Sequence, residues 1–88
     1  MTTIARDVDT FSIELDEDGL YRVSDTVVAE EGMTAVEALR TFADFIETAL
    51  PIDAYAFDEE EQDAMRALDA RLWAAMTEAR ADADLMDE

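Results

Sequence analysis

Residues 33–51 read MTAVEALRTFADFIETALP, and the fold turns on how this stretch is read. Thr34 stands where an N-cap belongs, and Glu37, three residues on, can bond back to the cap's own N–H, which makes a capping box. Pro51 disfavours helical geometry at Leu50 and closes the helix there. Val36, Leu39, Ala43, Ile46 and Leu50 form one stripe at helical spacing; Ala38, Phe42, Phe45 and Ala49 form a second beside it. Together they cover about half the cylinder, more than the roughly 100° face of a helix that packs on one side only. Glu37, Arg40, Thr41, Asp44, Glu47 and Thr48 share the remaining face. Two apolar stripes call for two neighbours. The chain supplies a β-hairpin before the helix and a longer helix after it.

The hairpin is legible by parity. Phe11, Ile13 and Leu15 alternate with Thr10, Ser12, Glu14 and Asp16. Glu17-Asp18-Gly19 follows, then Leu20, Tyr21, Arg22, Val23 and Ser24. A three-residue loop with Gly19 in the left-handed region sets Leu15 against Tyr21 and Ile13 against Val23, on one apolar face. A two-residue loop at Asp18-Gly19 sets Leu15 against Arg22 and breaks that face. The three-residue loop is therefore expected. Val27, Val28 and Ala29 either extend the second strand or bend before Glu30-Glu31-Gly32, and residues 1–9 either extend the first strand or lie across the core.

Beyond Pro51, the segment from Ile52 to Phe57 is apolar enough to pack as a connector. Asp58 offers an N-cap, and Glu59, Glu60 and Glu61 crowd a first turn where the helix dipole favours anions. Met65, Leu68, Leu72, Ala75, Met76, Ala79 and Ala83 then recur at helical spacing. The expectation is one α+β domain over residues 1–88: hairpin about 10–29, helix about 34–50, helix about 58–82. A chain this short buries only about 60–65% of its unfolded surface, so its stability is marginal. A lone hairpin also leaves two edges open, which favours a homodimer.

The charge is extreme: 24 acidic residues against 6 basic, net −18, with arginine as the sole basic residue and no lysine. Half the residues are apolar, so this is not the composition of a disordered tail. Self-repulsion strains such a fold in dilute buffer, whereas in molar salt the Debye length drops to about 3 Å. The composition looks like that of a cytoplasmic protein of a salt-in halophile, as haloarchaeal proteins are. The competing explanation, an acidic mimic of nucleic acid, needs a row of carboxylates spaced like phosphates on one face.

Several chemistries lack their residues. Without histidine there is no ordinary general base near neutrality, and without cysteine no disulfide, thiolate nucleophile or thiolate-held zinc. Gly19 and Gly32 are the only glycines, so no glycine-rich phosphate loop exists, and Ser12 and Ser24 sit in no nucleophile motif. The N-terminal nine residues hold no apolar run of signal-peptide length, and nothing reaches the roughly 18 apolar residues of a membrane span. No catalytic, cofactor-binding or metal-binding residue is assigned, no small-molecule substrate is evident, and neither nucleic acid nor a membrane is expected as partner. Asp16-Glu17-Asp18-Gly19 has the look of a hard-cation loop but lacks EF-hand spacing. The alternative of a carboxylate-based metal-binding protein or metal-dependent enzyme requires Asp16, Asp18 and Glu59–Glu61 to converge.

One surface constellation stands out. Arg66, Trp73 and Arg80, at i, i+7 and i+14, align along one side of the second helix, with Asp69 and Glu78 as candidate acceptors for the arginines. Trp73 lies about 80° round the helix from Met65, off the main stripe. Either it folds over the connector against Tyr55 or Phe57, or it anchors an interface. The favoured expectation is a non-catalytic interaction or regulatory module that binds itself or another protein.

Residues 11–50 also resemble part of the HicB-type antitoxin fold. Ile13–Gly19, Tyr21–Val23 and Gly32-Met33-Thr34-Ala35-Val36-Glu37-Ala38-Leu39 follow its order of strand, acidic glycine turn, second strand and Gly-x-Thr-x-x-Glu-Ala-Leu helix start. That family's Pro-Asp-Leu-Pro-Gly-Cys segment is missing, with Asp25 alone near its place, and the acidic second helix is unlike the DNA-binding tail of some members. The resemblance implies a small toxin held by the hairpin and helix.

Overall fold

A computed structural model describes residues 4–87 as a four-stranded antiparallel sheet followed by two helices, an α+β fold. The strands are β1 (Arg6–Val8), β2 (Phe11–Leu15), β3 (Tyr21–Ser24) and β4 (Ala29–Met33), in the spatial order of the chain. Helix α1 spans Ala35–Thr48 and α2 spans Glu59–Met86, with a single 3-10 turn at Ala54–Ala56 between them.

The hairpin expected over 10–29 is the centre of this sheet, in the register parity demanded: Ile13 opposite Val23 and Leu15 opposite Tyr21. Asp16 N–H donates to the Leu20 carbonyl, which leaves Glu17, Asp18 and Gly19 as the loop, with Gly19 at φ +81°. The Asp16 carboxylate accepts the Asp18 and Leu20 N–H groups at 2.8 and 3.0 Å and holds the turn together. Leu15, however, is largely exposed, because the hairpin tip reaches beyond the helices.

Two outer strands enlarge the hairpin. Of residues 1–9, the first three lie outside the described residues, while Arg6–Val8 pair with Ile13–Phe11 around a two-residue turn whose Asp9 has φ +53°. Val27 and Val28 do not extend β3; the chain bends here, and the Asp25 carboxylate accepts both their N–H groups at 2.7 Å. Ala29 then opens β4. Between the pairs Tyr21–Met33 and Val23–Glu30, β4 carries one extra residue, a bulge that includes Gly32 at φ +74°. Bulged and bearing Glu30 and Glu31, this edge is a poor template for another strand.

Both helices cover one face of the sheet, and the other face is polar and open to solvent, as an antiparallel sheet allows. There Arg22 bridges Glu31 (3.3 Å) and Glu14 (4.0 Å), and Ser12 meets Ser24 across the strands at 2.9 Å. The capping box at Thr34 and Glu37 is formed. From it α1 runs with Ala38, Leu39, Phe42, Ala43 and Ile46 buried, packed on the sheet and on α2 together, so both of its apolar stripes find neighbours. Their ends are less enclosed: Val36, Phe45 and Leu50 are half-buried and Ala49 is exposed. The buried residues of α1 form the core with Ile4, Phe11, Ile13, Val23 and Met33 of the sheet side and Leu72, Met76, Ala79 and Ala83 of α2.

The second helix departs from expectation at both ends. Asp58 occupies the N-cap in extended conformation, but its side chain makes no capping bond; its carbonyl accepts the Glu61 and Gln62 N–H groups. The helix continues beyond Asp82 to Met86, because Ala83 is buried and because Arg40 of α1 holds Asp87 at 2.7 Å, with Asp84 at 3.9 Å. Its 28 residues span about 42 Å, close to the 45 Å long axis of the molecule. No helix among the described residues is long and apolar enough to cross a membrane.

Candidate interaction surface

Helix α2 buries Leu72, Met76, Ala79 and Ala83, one narrow line. Its two flanks, about 100° to either side of that line, differ in character.

On one flank lie Arg66, Asp69, Trp73 and Arg80. Arg80 reaches across to Glu47 and, at 3.5 Å, to Asp44 of α1. The hydrogen bond it donates to Glu47 holds its guanidinium above the ordinary arginine range, and the Asp87 carboxylate does the same for Arg40. Asp69 accepts the Ile52 N–H at 3.0 Å and ties the connector to the helix. Arg66 pairs with Asp63 at 3.2 Å, and its guanidinium stands 5.8 Å from the Tyr55 ring centroid, a cation–π arrangement. The alignment of Arg66, Trp73 and Arg80 thus holds, but neither expected acceptor serves: Asp69 faces the connector and Glu78 lies on the other flank, 4.0 Å from Arg6. Trp73, between these anchored groups, is 45% exposed, so it is not a core residue. Phe57 at 39% and Tyr55 at 83% leave further aromatic surface open on the connector.

The other flank meets the sheet edge. Arg6 of β1 bridges Asp82 at 3.1 Å and, more distantly, Glu78. Beside these bridges β1 and α2 leave an open groove of about 520 Å³, with Arg6 and Val8 on its strand side, Arg71, Ala74, Ala75 and Glu78 on its helix side, and Phe42 buried beneath it. Arg71 is exposed and, unlike the other arginines, has no ionic or hydrogen-bonding partner among the described residues. Nothing in the sequence pattern singles it out, because the groove exists only once residues 6–8 form a strand.

The arginines are dispersed over the outer sheet face, the β1 edge and the seam between the helices, and gather into no basic patch. Among the described residues no group of three or more acidic side chains is gathered as a metal ion requires, and the Asp16 carboxylate is already engaged by its own turn. The Ser12 and Ser24 hydroxyls bond to each other, with Asp7 opposite Ser12 on the neighbouring strand. No buried polar or charged side chain occurs among the described residues. No protein-family model, curated protein or solved structure matches the chain.

Proposed function

We propose that this protein is a non-catalytic interaction module of a salt-adapted cell, working in the cytoplasm, that presents the Trp73 flank of α2 to another protein. The observation that carries this reading is the 45% exposure of Trp73 on a flank whose neighbouring side chains are already held by α1 and the connector. A large aromatic side chain on a pre-ordered surface loses little entropy on docking, which is how interface anchors work. The net charge of −18 supports the salt-adapted setting through its cost in dilute buffer.

The test is affinity capture in molar KCl with wild type and Trp73→Ala, the bound protein being identified and cross-linked to map its contact. A partner cross-linked along residues 55–80 and lost with Trp73→Ala, while the circular dichroism is unchanged, supports the reading. A partner retained by the variant overturns the role of Trp73. The same protein in dilute buffer should lose cooperative folding; a fold indifferent to salt removes the halophilic setting.

A second reading follows from the HicB-type resemblance, with a small toxin as the partner. The three-residue glycine turn and the capped α1 give it support, since both stand in the implied order. Its test is a cross-link to a toxin-sized protein on β2, β3 or α1 rather than on the Trp73 flank.

A further inference from the structure

Arg71 and Glu78 lie seven residues apart on the groove flank of α2, about two turns or 10.5 Å along the axis. Between them are Ala74 and Ala75, whose methyl side chains let another helix approach closely. This arrangement is self-complementary. A twofold axis perpendicular to the helix, passing between Ala74 and Ala75, carries Arg71 onto the partner's Glu78 and Glu78 onto the partner's Arg71. Such a contact is isologous and closed, the commonest form of homodimer.

We infer that the groove between β1 and α2 is the homodimer surface of this protein, occupied by the same flank of α2 from a second copy in antiparallel orientation. Three observations converge on it. Arg71 has no partner of its own among the described residues. The groove is open beside β1, an edge strand of the sheet, and a helix laid along it covers that edge. The opposite flank of α2 is already tied to α1 and the connector, whereas here the Arg6 bridges to Glu78 and Asp82 are the ion pairs that cross to the helix among the described residues. The inference rests on the interaction-module reading and adds to it a division of labour: one flank joins two copies, and the Trp73 flank faces outward on both. Two chains of −18 repel, so the dimer forms in molar salt, where a pair enclosed at an interface is screened less than the surrounding surface charge.

The experiment is sedimentation equilibrium in molar KCl on wild type, Arg71→Glu, Glu78→Arg, the double variant and Trp73→Ala, with circular dichroism to check the fold. Wild type and Trp73→Ala should be dimers. Each single charge reversal places like charges together twice and weakens the dimer about tenfold or more. An equimolar mixture of the two single variants should form a heterodimer. In it the introduced glutamate of one chain meets the introduced arginine of the other, and the remaining native Glu78 and Arg71 meet across the same axis. The double variant should dimerise like wild type. Dimerisation insensitive to Arg71→Glu, or single-variant defects that neither mixing nor the double variant repairs, overturns the inference. A monomeric wild type overturns it too, yet leaves the Trp73 reading to be decided by capture. Loss of the dimer in Trp73→Ala alone transfers the dimer to the other flank.

Discussion

The two helices differ in how they use their length. Helix α1 has 14 residues and buries five; α2 has 28 and buries four, all of them from Leu72 onward. The cross-helix bonds explain why. Arg40 meets Asp87 and Glu47 meets Arg80, so α1 runs beside the C-terminal part of α2 and ends about level with Arg80. From Glu59 to Arg71 no residue is buried; Asp69 ties this stretch to the connector, and Leu68 packs half-buried against the edge of the core. In a globular domain most helical stability comes from tertiary packing of an apolar face. The first half of α2 instead depends on good helix formers, acidic residues at its start and one packed connector. A segment maintained with so little core is free to present surface. Both candidate interaction surfaces lie on α2, on the flanks of its one narrow buried line, and none on α1.

The largest expected effect tests this contrast directly. Phe42, with no exposed surface, sits where α1, the sheet and α2 meet. Phe42→Ala should cost about 3–5 kcal/mol, enough to unfold a domain this small. Leu68→Ala, at a half-buried site in the overhanging half of α2, should cost only about 1 kcal/mol. Urea titrations in molar KCl read both. Equal losses would mean that the first half of α2 belongs to the core after all.

Next in size is the bond that holds the connector to that overhang. Asp69→Ala leaves the partly buried Ile52 N–H without its acceptor, at a cost of about 1–3 kcal/mol. Amide exchange should quicken at Ile52 and through residues 59–71 while the amides of α1 keep their protection. Uniform acceleration across both helices would show that they open as one unit.

The helix starts allow a smaller and cleaner comparison. Thr34→Ala removes a formed capping box and should cost about 1 kcal/mol. Asp58→Ala removes a carboxylate that makes no capping bond, and should cost no more than the few tenths of a kcal/mol of its interaction with the helix dipole. A larger loss at Asp58 would mean that the cap forms in solution.

These sites also show what the sequence makes legible. The start of α1 can be read because Thr34, Glu37 and Pro51 are local signals that need no tertiary partner. The register of β2 on β3 can be read because a slip of one residue turns Arg22 toward the core. Even the Ser12–Ser24 pair is implicit in that register, since Ile13 opposite Val23 forces the two serines together. The outer strands carry no such signal. β1 has three residues, and its apolar Val8 ends it next to a turn; in β4 the Gly32 bulge breaks the alternation, so that of five residues only Met33 is buried. Trp73 is ambiguous in sequence because periodicity places it off the apolar line without saying what lies beside it. The groove at Arg71 is invisible there because it requires β1.

The smallest expected effect concerns the loop that begins this unforeseen fourth strand. The Val28 N–H, and then the Val27 N–H, hold the Asp25 carboxyl below the ordinary carboxylate range. A depressed folded-state value means that the carboxylate stabilises the loop at pH values above its unfolded pKa, and that this contribution fades as pH falls through the folded value. Between neutrality and mildly acidic pH nothing should change; the loss belongs below about pH 4. Since the loop is at the surface, the readout is local: the Val27 and Val28 amide resonances should move together with one titration below that pH. Asp25→Asn keeps an acceptor oxygen and should preserve the loop while abolishing the titration. Asp25→Ala should free both amides and fray Ala29 from Ser24 at every pH. Loosening of β4 with α1 undisturbed would show that the outer strand, like the first half of α2, is an attachment to the core, whereas simultaneous loosening of α1 would place β4 within the cooperative unit.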